Sequence, residues 1–392
     1  MKKIATGLEN LIRDQHPGLE KKRLGLLCNQ ASVDSGLCHA RDLVDRRFPG
    51  RLKALFSPQH GFFAEKQDNM IESGDFTDRR LSIPVFSLYG KTRAPTASMM
   101  ESIDALLVDL QDAGTRVYTF FTTLSYCMEA AAETNTRVVI LDRPNPIGGL
   151  QVEGNCLDPQ YASFVGRYPI PMRHGLTIGE FARYINNVFT IGCELEVVAM
   201  KGWNRSMYYD DTGLCWVAPS PNLPAVSSVV VYPGQVIWEG TNISEGRGTT
   251  LPFEIFGAPF MDTDAIEKAL GRCSYFQGAV LRPAVFEPTS GKWAQTPCRG
   301  FQIHVTDRRR FSPLRTSLKL LSVILSLFEK NFAWKQPPYE YEYEKLPFDL
   351  ITGDPHIRKH LEAAADPREL EEQWRPGIKR YMKQVKPFYI YE

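Results

Sequence analysis

Ala105-Leu106-Leu107-Val108-Asp109-Leu110, followed at once by Gln111-Asp112-Ala113-Gly114, is the stretch on which the fold turns. A short apolar run that closes on polar, glycine-containing residues reads as a buried strand with its exit turn. Thr119 to Glu133 then carries apolar residues at helical spacing. Arg137 to Leu141 is a second apolar run and leads into Asp142-Arg143-Pro144-Asn145-Pro146. Strand, helix and strand in that order predict a parallel pair joined by a crossover helix. Upstream the pattern recurs. Arg23 to Cys28 leads to Asn29-Gln30, Leu52 to Phe56 leads to Ser57-Pro58-Gln59-His60-Gly61, and Ile83 to Leu88 leads to Tyr89-Gly90-Lys91-Thr92. These runs together predict an α/β fold with a Rossmann-like parallel-sheet N-terminal domain.

Downstream, Thr177 and Glu180 form a capping box ahead of Phe181, Tyr184 and Ile185, which predicts a further helix. Glu194 to Met200 reads as another strand. Pro219-Ser220-Pro221-Asn222-Leu223-Pro224 interrupts both helix and sheet, because proline lacks the donor that either ladder needs. It sets the expected boundary between a domain over 1–224 that carries most of the active site and a smaller α+β domain over 225–392 that closes the cleft. In that second part Val229 to Tyr232, Ala279 to Phe286 and Gly300 to Val305 are expected strands, and Leu314 to Phe328 an amphipathic helix. Trp334 to Phe348, rich in Tyr, Glu and Pro, is expected to run over the surface with its rings tucked against the domain.

The 392 residues carry a formal net charge of +1, which leaves no basic excess for a phosphate backbone and argues against nucleic acid as partner. No apolar stretch is long enough to span a bilayer. The start, Met1-Lys2-Lys3-Ile4-Ala5-Thr6-Gly7-Leu8-Glu9, meets a glutamate before any signal-like run, so the expected location is the cytoplasm, with export still open if a leader has been removed. The eight cysteines, at 28, 38, 127, 156, 193, 215, 273 and 298, show no Cys-x-x-Cys spacing and read as reduced, buried thiols. No cofactor is expected. Walker and Gly-x-Gly-x-x-Gly patterns are absent where a strand would feed them, and no His-Glu-x-x-His pair places metal ligands on one helix face.

In an open parallel sheet, ligands bind beyond the carboxyl ends of the strands. That topology gathers Asn29, Gln30, Gln59, His60, Tyr89, Asp109, Gln111, Asp112, Arg116, Asp142, Arg143 and Asn145 near one crevice. Each has a plainer reading. Asp142 and Asp112 can be turn formers and His60 a hydrogen-bonded structural histidine, whereas Asp109, inside an apolar run, is either paired with Arg116 or Arg143 or held protonated. Glu65, Glu72 and Asp75 lie in a polar segment long enough to fold over the crevice, with a solvated loop favoured for the last two. Glu180 is better explained by its cap. Arg173 and His174 precede that helix, where an anionic ligand group could be received. Glu239-Gly240-Thr241-Asn242-Ile243-Ser244-Glu245-Gly246-Arg247-Gly248-Thr249-Thr250 combines close backbone approach with donors, which suits a sugar bearing a carboxylate.

Several of these segments together resemble one family. They are Ser57-Pro58-Gln59-His60-Gly61-Phe62, Pro84 to Gly90, Asp109 to Thr119, Leu141 to Pro146, Val152-Glu153-Gly154, Ser163 to Gly166, Arg173 to Thr177, Glu239 to Asn242 and Gly246 to Thr249. The chain is similar over nearly its whole length to the NamZ exo-β-N-acetylmuramidases, formerly the bacterial domain of unknown function DUF1343. The resemblance implies a site in the cleft between the two domains and removal of terminal N-acetylmuramic acid from the non-reducing end of peptidoglycan fragments. The strand-end crevice coincides with that site, and the catalytic candidates are Gln59, His60, Glu65, Asp109, Asp112 and Asp142. Substrate-binding candidates are Asn29, Gln30, Tyr89, Gln111, Arg116, Tyr118, Arg143, Asn145, Arg173, His174, Asn242 and Arg247, with Arg143, Arg173 and Arg247 as cations for the lactyl carboxylate.

One position departs from the family pattern. Many members have Ser-Pro-Glu-His-Gly where this chain has Gln59, and an amide cannot exchange a proton as a carboxyl does. Glu65, or Asp109, Asp112 or Asp142, could then do the proton work while Gln59 orients the substrate. The same departure keeps a non-catalytic or altered-specificity glycan-binding protein on this fold as the rival reading. A hydrolase of amide or ester bonds using His60 is weaker, since no Gly-x-Ser-x-Gly elbow is present.

Overall fold

The structure, a computed structural model, describes residues 4–271 and 276–392; Met1 to Lys3 and Cys273 lie outside the described residues. Its centre is a seven-stranded sheet of β1 (Leu24–Cys28), β2 (Leu52–Ser57), β3 (Phe76–Asp78), β4 (Ile83–Ser87), β5 (Ala105–Asp109), β6 (Arg137–Leu141) and β9 (Leu195–Val198). The order is β3-β4-β2-β1-β5-β6-β9, parallel except for β3 at the edge. From β1 the chain first builds outward through β2 and β4, then returns to the other side of β1 with β5. That reversal opens a crevice at the carboxyl ends of the strands.

The strands are apolar on both faces, as strands covered by helices on both sides must be. Leu24, Leu26, Cys28, Leu55 and Leu107 join one buried layer with Leu8 and Val44, while Leu27, Phe56, Leu106 and Val108 face the other layer with Leu124 and Phe181. The helix Phe120–Thr134 crosses between β5 and β6 and stops at Asn135, whose left-handed backbone (φ 53°) ends the ladder. The helix Ile178–Val188 starts with the expected box, in which the Glu180 amide donates to Thr177 Oγ1 (3.2 Å) and the Thr177 amide donates to Glu180 Oε2 (3.1 Å).

Beyond a small ribbon of β7 (Glu153–Cys156) and β8 (Pro171–Arg173), an antiparallel sheet of β10 (Ile255–Ala258), β12 (Cys298–Val305) and β11 (Ala279–Phe286) packs with the helix Pro313–Phe328. The second apolar layer runs without a break from the central sheet into Trp238, Phe256, Phe301, Leu318 and Phe348.

The structure corrects three expectations. Val229 to Tyr232 lies inside a helix, Val226–Gln235, although β-branched side chains favour strands. The run is buried on all sides, and a short apolar run carries no periodicity that separates strand from helix. Trp334 to Phe348 runs largely along the surface as expected, but its middle turns inward, where Tyr339 and Glu340 are only 4% exposed. Of the cysteines, Cys38 and Cys215 are exposed rather than buried, although the described thiols are unpaired.

Arg116 joins the parts. Fully buried after β5, its guanidinium donates to four backbone carbonyls: Asn155 (2.8 Å) and Ile170 (3.0 Å) beside the ribbon, and Ile351 (3.2 Å) and Thr352 (2.6 Å) at the end of the helix Pro347–Thr352. Burial lowers its pKa to about 10, so it is still a cation at neutral pH, placed against the negative end of that helix. Replacing it by methionine would take a donor from all four carbonyls at once, of which Thr352 would keep Asn155 Nδ2 and Ile170 the Leu157 amide. Arg116→Met is expected to cost about 3 kcal/mol or more of stability. The midpoint of denaturant unfolding checks this.

Candidate active site

Gln59 and His60 leave the carboxyl end of β2 through a sharp bend, with φ of 74° at His60 and 87° at Gly61. The left-handed backbone at a histidine costs roughly 1 kcal/mol and persists only where its surroundings impose it. Here the His60 Nδ1–H donates to the Lys66 carbonyl (2.7 Å), which leaves Nε2 without a proton in the neutral ring. Thr119, entering the crossover helix, donates to Gln59 Oε1 (2.7 Å), and Gln59 Nε2 donates to Glu340 Oε1 (2.9 Å). The Tyr89 hydroxyl, beyond β4, donates to the other oxygen of Glu340 (2.5 Å). Arg93 lies against the rings of Tyr89 (4.2 Å) and Tyr341 (4.1 Å), fastening the segment that carries Glu340.

A second carboxylate comes from the other half of the chain. Glu239 sits where the helix Val226–Gln235 continues as a tighter turn, Val236–Gly240. Gly240 makes this approach possible, since a Cβ there would stand 2.6 Å from the Phe348 Cα. Glu239 accepts from Arg247 (2.7 Å) on one oxygen and from Asn69 (3.0 Å) and the Tyr339 hydroxyl (2.7 Å) on the other. Arg247 also pairs with Glu245 (3.2 Å), which in turn pairs with Lys292 (2.8 Å).

Glu239 and Glu340 line one cavity with Gln59, His60, Tyr118 and Arg247, walled on its apolar side by Val117, Phe120, Val165, Leu223 and Phe253. Its volume is about 30 Å³, room for one or two water molecules. Through Asn222 and Arg247 it adjoins a cleft of about 870 Å³, and through Asn69, Glu239 and Tyr339 one of about 300 Å³. A sugar ring therefore needs the segments carrying Asn69 or Tyr339–Glu340 to draw back.

The environments of the two carboxyls differ in sign. Burial raises the Glu340 carboxyl above the usual range; hydrogen bonds from Tyr89 and Gln59 offset this only in part, and the charge of Glu239 adds to it. Burial would raise Glu239 as well, but Arg247 and the Tyr339 hydroxyl outweigh it and hold that carboxyl below the usual range. Burial lowers His60 from 6.5 to about 4, so its ring is neutral at pH 7.

Other strand-end residues stay away from the cavity because the fold uses them. Asp109 is bound through both oxygens by Arg143 (2.5 and 2.8 Å), which settles its partner as Arg143 rather than Arg116. Asp142 accepts from Thr177 Oγ1 (2.8 Å), the Gly179 amide (2.8 Å) and the Tyr391 hydroxyl (2.6 Å), and burial raises its pKa to about 7. Asp112 accepts from the Gly114 amide (2.5 Å) and faces His174 Nε2 (3.4 Å). Glu65 is exposed and bonds to its own loop at Phe63 (3.2 Å). Asn29 and Gln30 donate to the Pro219 (2.9 Å) and Ala218 (2.6 Å) carbonyls, and Gln111 and Asn145 to those of Pro144 (2.9 Å) and Leu176 (2.9 Å). Arg173 donates to Gln151 (2.5 Å) in a separate groove, and Asn242 to the Asn331 carbonyl (2.8 Å). Of the three arginines considered for the lactyl carboxylate, Arg247 alone lines the cavity.

The sequence reading missed Glu340 and Tyr339 altogether and quoted Glu239 only within its loop. The available signal was Pro338-Tyr339-Glu340-Tyr341, an acid between aromatic rings in a proline-fixed segment. Among the described residues, no group of three or more His, Cys, Asp or Glu is placed to hold a metal ion.

Residues 24–227 match the family described as Exo-beta-N-acetylmuramidase NamZ, N-terminal, and residues 230–391 match its C-terminal counterpart. The chain belongs to the NamZ family. It is 41% identical over 389 residues to the peptidoglycan beta-N-acetylmuramidase NamZ of Bacillus subtilis (strain 168), covering 99% of this chain and 92% of that relative. Two crystal structures of DUF1343 family proteins from Bacteroides fragilis NCTC 9343 share its fold. One has a TM-score of 0.89 at 33% identity with both chains fully covered; the other has 0.79 at 28%, covering 100% of this chain and 99% of that one. The NamZ resemblance carried by the motifs and the expected α/β fold both hold.

The neutral His60 has a consequence for stability. Its folded pKa of about 4 lies below the ordinary 6.5, so between these values the unfolded chain binds a proton that the folded chain refuses. Stability is full above pH 6.5 and falls as the pH drops toward 4, by about 3 kcal/mol from this group. Thermal melts across that window are expected to show a shallower acid loss in His60→Asn, since asparagine tolerates the left-handed backbone.

Proposed function

We propose that this chain is a peptidoglycan β-N-acetylmuramidase that releases N-acetylmuramic acid from the non-reducing end of peptidoglycan fragments. The observation that carries the reading is the match along nearly the whole chain to a relative of that name, with 41% identity. The site agrees with it. Glycoside hydrolysis commonly uses a pair of carboxyl groups flanking the scissile bond, and the cavity presents Glu239 and Glu340. An inner pocket that adjoins broader clefts suits a chain end once the segments carrying Asn69 or Tyr339–Glu340 draw back, with the rest of the glycan lying outside. Among the described residues no helix is long and apolar enough to cross a membrane.

Incubation of the purified protein with a chromogenic muramide and with the N-acetylmuramic acid–N-acetylglucosamine disaccharide tests the reading. Free N-acetylmuramic acid is expected from both, whereas fragments capped at the non-reducing end by N-acetylglucosamine stay intact. Tight binding of the disaccharide without turnover would make the chain a sugar-binding relative instead.

A further inference from the structure

Resting on the muramidase reading, we infer that Glu340 is the acid that protonates the glycosidic oxygen and Glu239 the carboxylate that faces the anomeric carbon, with Gln59 and Tyr89 positioning Glu340. Both acids line the same cavity, and each is gripped by a different set of partners. Glu340 is bound by neutral donors, the Gln59 amide (2.9 Å) and the Tyr89 hydroxyl (2.5 Å). Glu239 is bound by the Arg247 cation (2.7 Å) together with Asn69 and Tyr339. A cation stabilises the ionised carboxyl more strongly than neutral donors do, so the two acids are held on opposite sides of the usual carboxylate range. The raised Glu340 and lowered Glu239 agree with that division.

The alternatives are spoken for. Asp109 is locked to Arg143, and Asp142 caps the helix Ile178–Val188 while it receives Tyr391. Gln59 cannot be the acid, but its amide stands within hydrogen-bond distance of a carboxyl that can. The departure at position 59 therefore leaves the cavity with an acid, supplied by the segment that closes over it.

In the reaction, Glu340 gives its proton to the glycosidic oxygen as the bond from that oxygen to the anomeric carbon breaks, and the electron pair of the bond stays with the departing alcohol. The Glu239 carboxylate faces the positive charge left on the anomeric carbon and ring oxygen. Water then adds to that carbon and passes its surplus proton to the Glu340 carboxylate, which restores the starting site. The rate should fall as pH rises through the Glu340 pKa and as it falls through that of Glu239.

Leaving-group dependence tests the assignment. A nitrophenolate departs without a proton, whereas a sugar alkoxide does not. Glu340→Gln is expected to lose about 10²–10⁴-fold in kcat/KM on the natural disaccharide, far less on a nitrophenyl muramide, and to lose the basic limb of its pH profile. Glu239→Gln should lose activity on both substrates. Gln59→Glu places a second carboxyl beside Glu340 and should move the basic limb to higher pH, which a merely structural role would not do. Equal losses on both substrates in a folded Glu340→Gln, or an unchanged basic limb, would overturn the assignment while leaving the muramidase reading in place. No release by the unmodified protein from either substrate would overturn both.

Discussion

Among the described residues the buried guanidinium of Arg116 pairs with no carboxylate; its two terminal nitrogens donate to the carbonyl ends of segments that are far apart in sequence. A buried charge needs acceptors in place of water, and although the Arg116 Nε–H finds none, the terminal nitrogens take all four of their acceptors from the ribbon side and from the helix Pro347–Thr352, which meet at the exit of β5. The start of that helix then fixes two further things. Phe348 lies against Gly240, next to Glu239, and the chain leading into the helix is the segment that brings Tyr339 and Glu340 inward. One electrostatic constraint thus locates both acids relative to the central sheet.

The cavity shows how little side-chain chemistry is needed to give two glutamates opposite tasks. Glu239 and Glu340 are both buried, and burial alone would push both toward the neutral form. The difference lies in the donors. Arg247 is balanced between Glu239 and Glu245, and Lys292 beyond it steadies Glu245, so Glu239 belongs to a chain of alternating charges. Glu340 is bound by an amide and a phenol, and the Arg93 charge acts on it more weakly than burial does. Position 59 matters here as a neutral donor, where a glutamate would instead share a proton with Glu340.

Much of the fold is legible in the sequence because buried parallel strands leave an unmistakable mark. The five apolar runs of the first half coincide with β1, β2, β4, β5 and β6, and the box at Thr177 and Glu180 starts its helix as expected. The site was legible only in part. Gln59, His60 and Tyr118 line the cavity and Tyr89 binds Glu340, since strand topology places them there. Asp109, Asp142 and Arg143, with the same apparent claim, pair with fold-bearing groups whose positions no local pattern reveals. Glu340 escaped notice because its burial depends on a segment folding back across the chain from residues 339 to 59 and 89, and composition describes that segment only as polar and aromatic.

The division of labour between the two acids is open to direct observation without any substrate. Carbon-13 NMR of protein labelled at the glutamate side-chain carboxyl, titrated from acid to neutral pH, would follow each group's ionisation. The expected spectrum contains a glutamate that titrates above the ordinary carboxylate range and disappears in Glu340→Gln but persists in Glu239→Gln. A high-titrating carboxyl that vanishes in Glu239→Gln instead, or a Glu340 that ionises with the surface glutamates, would contradict it.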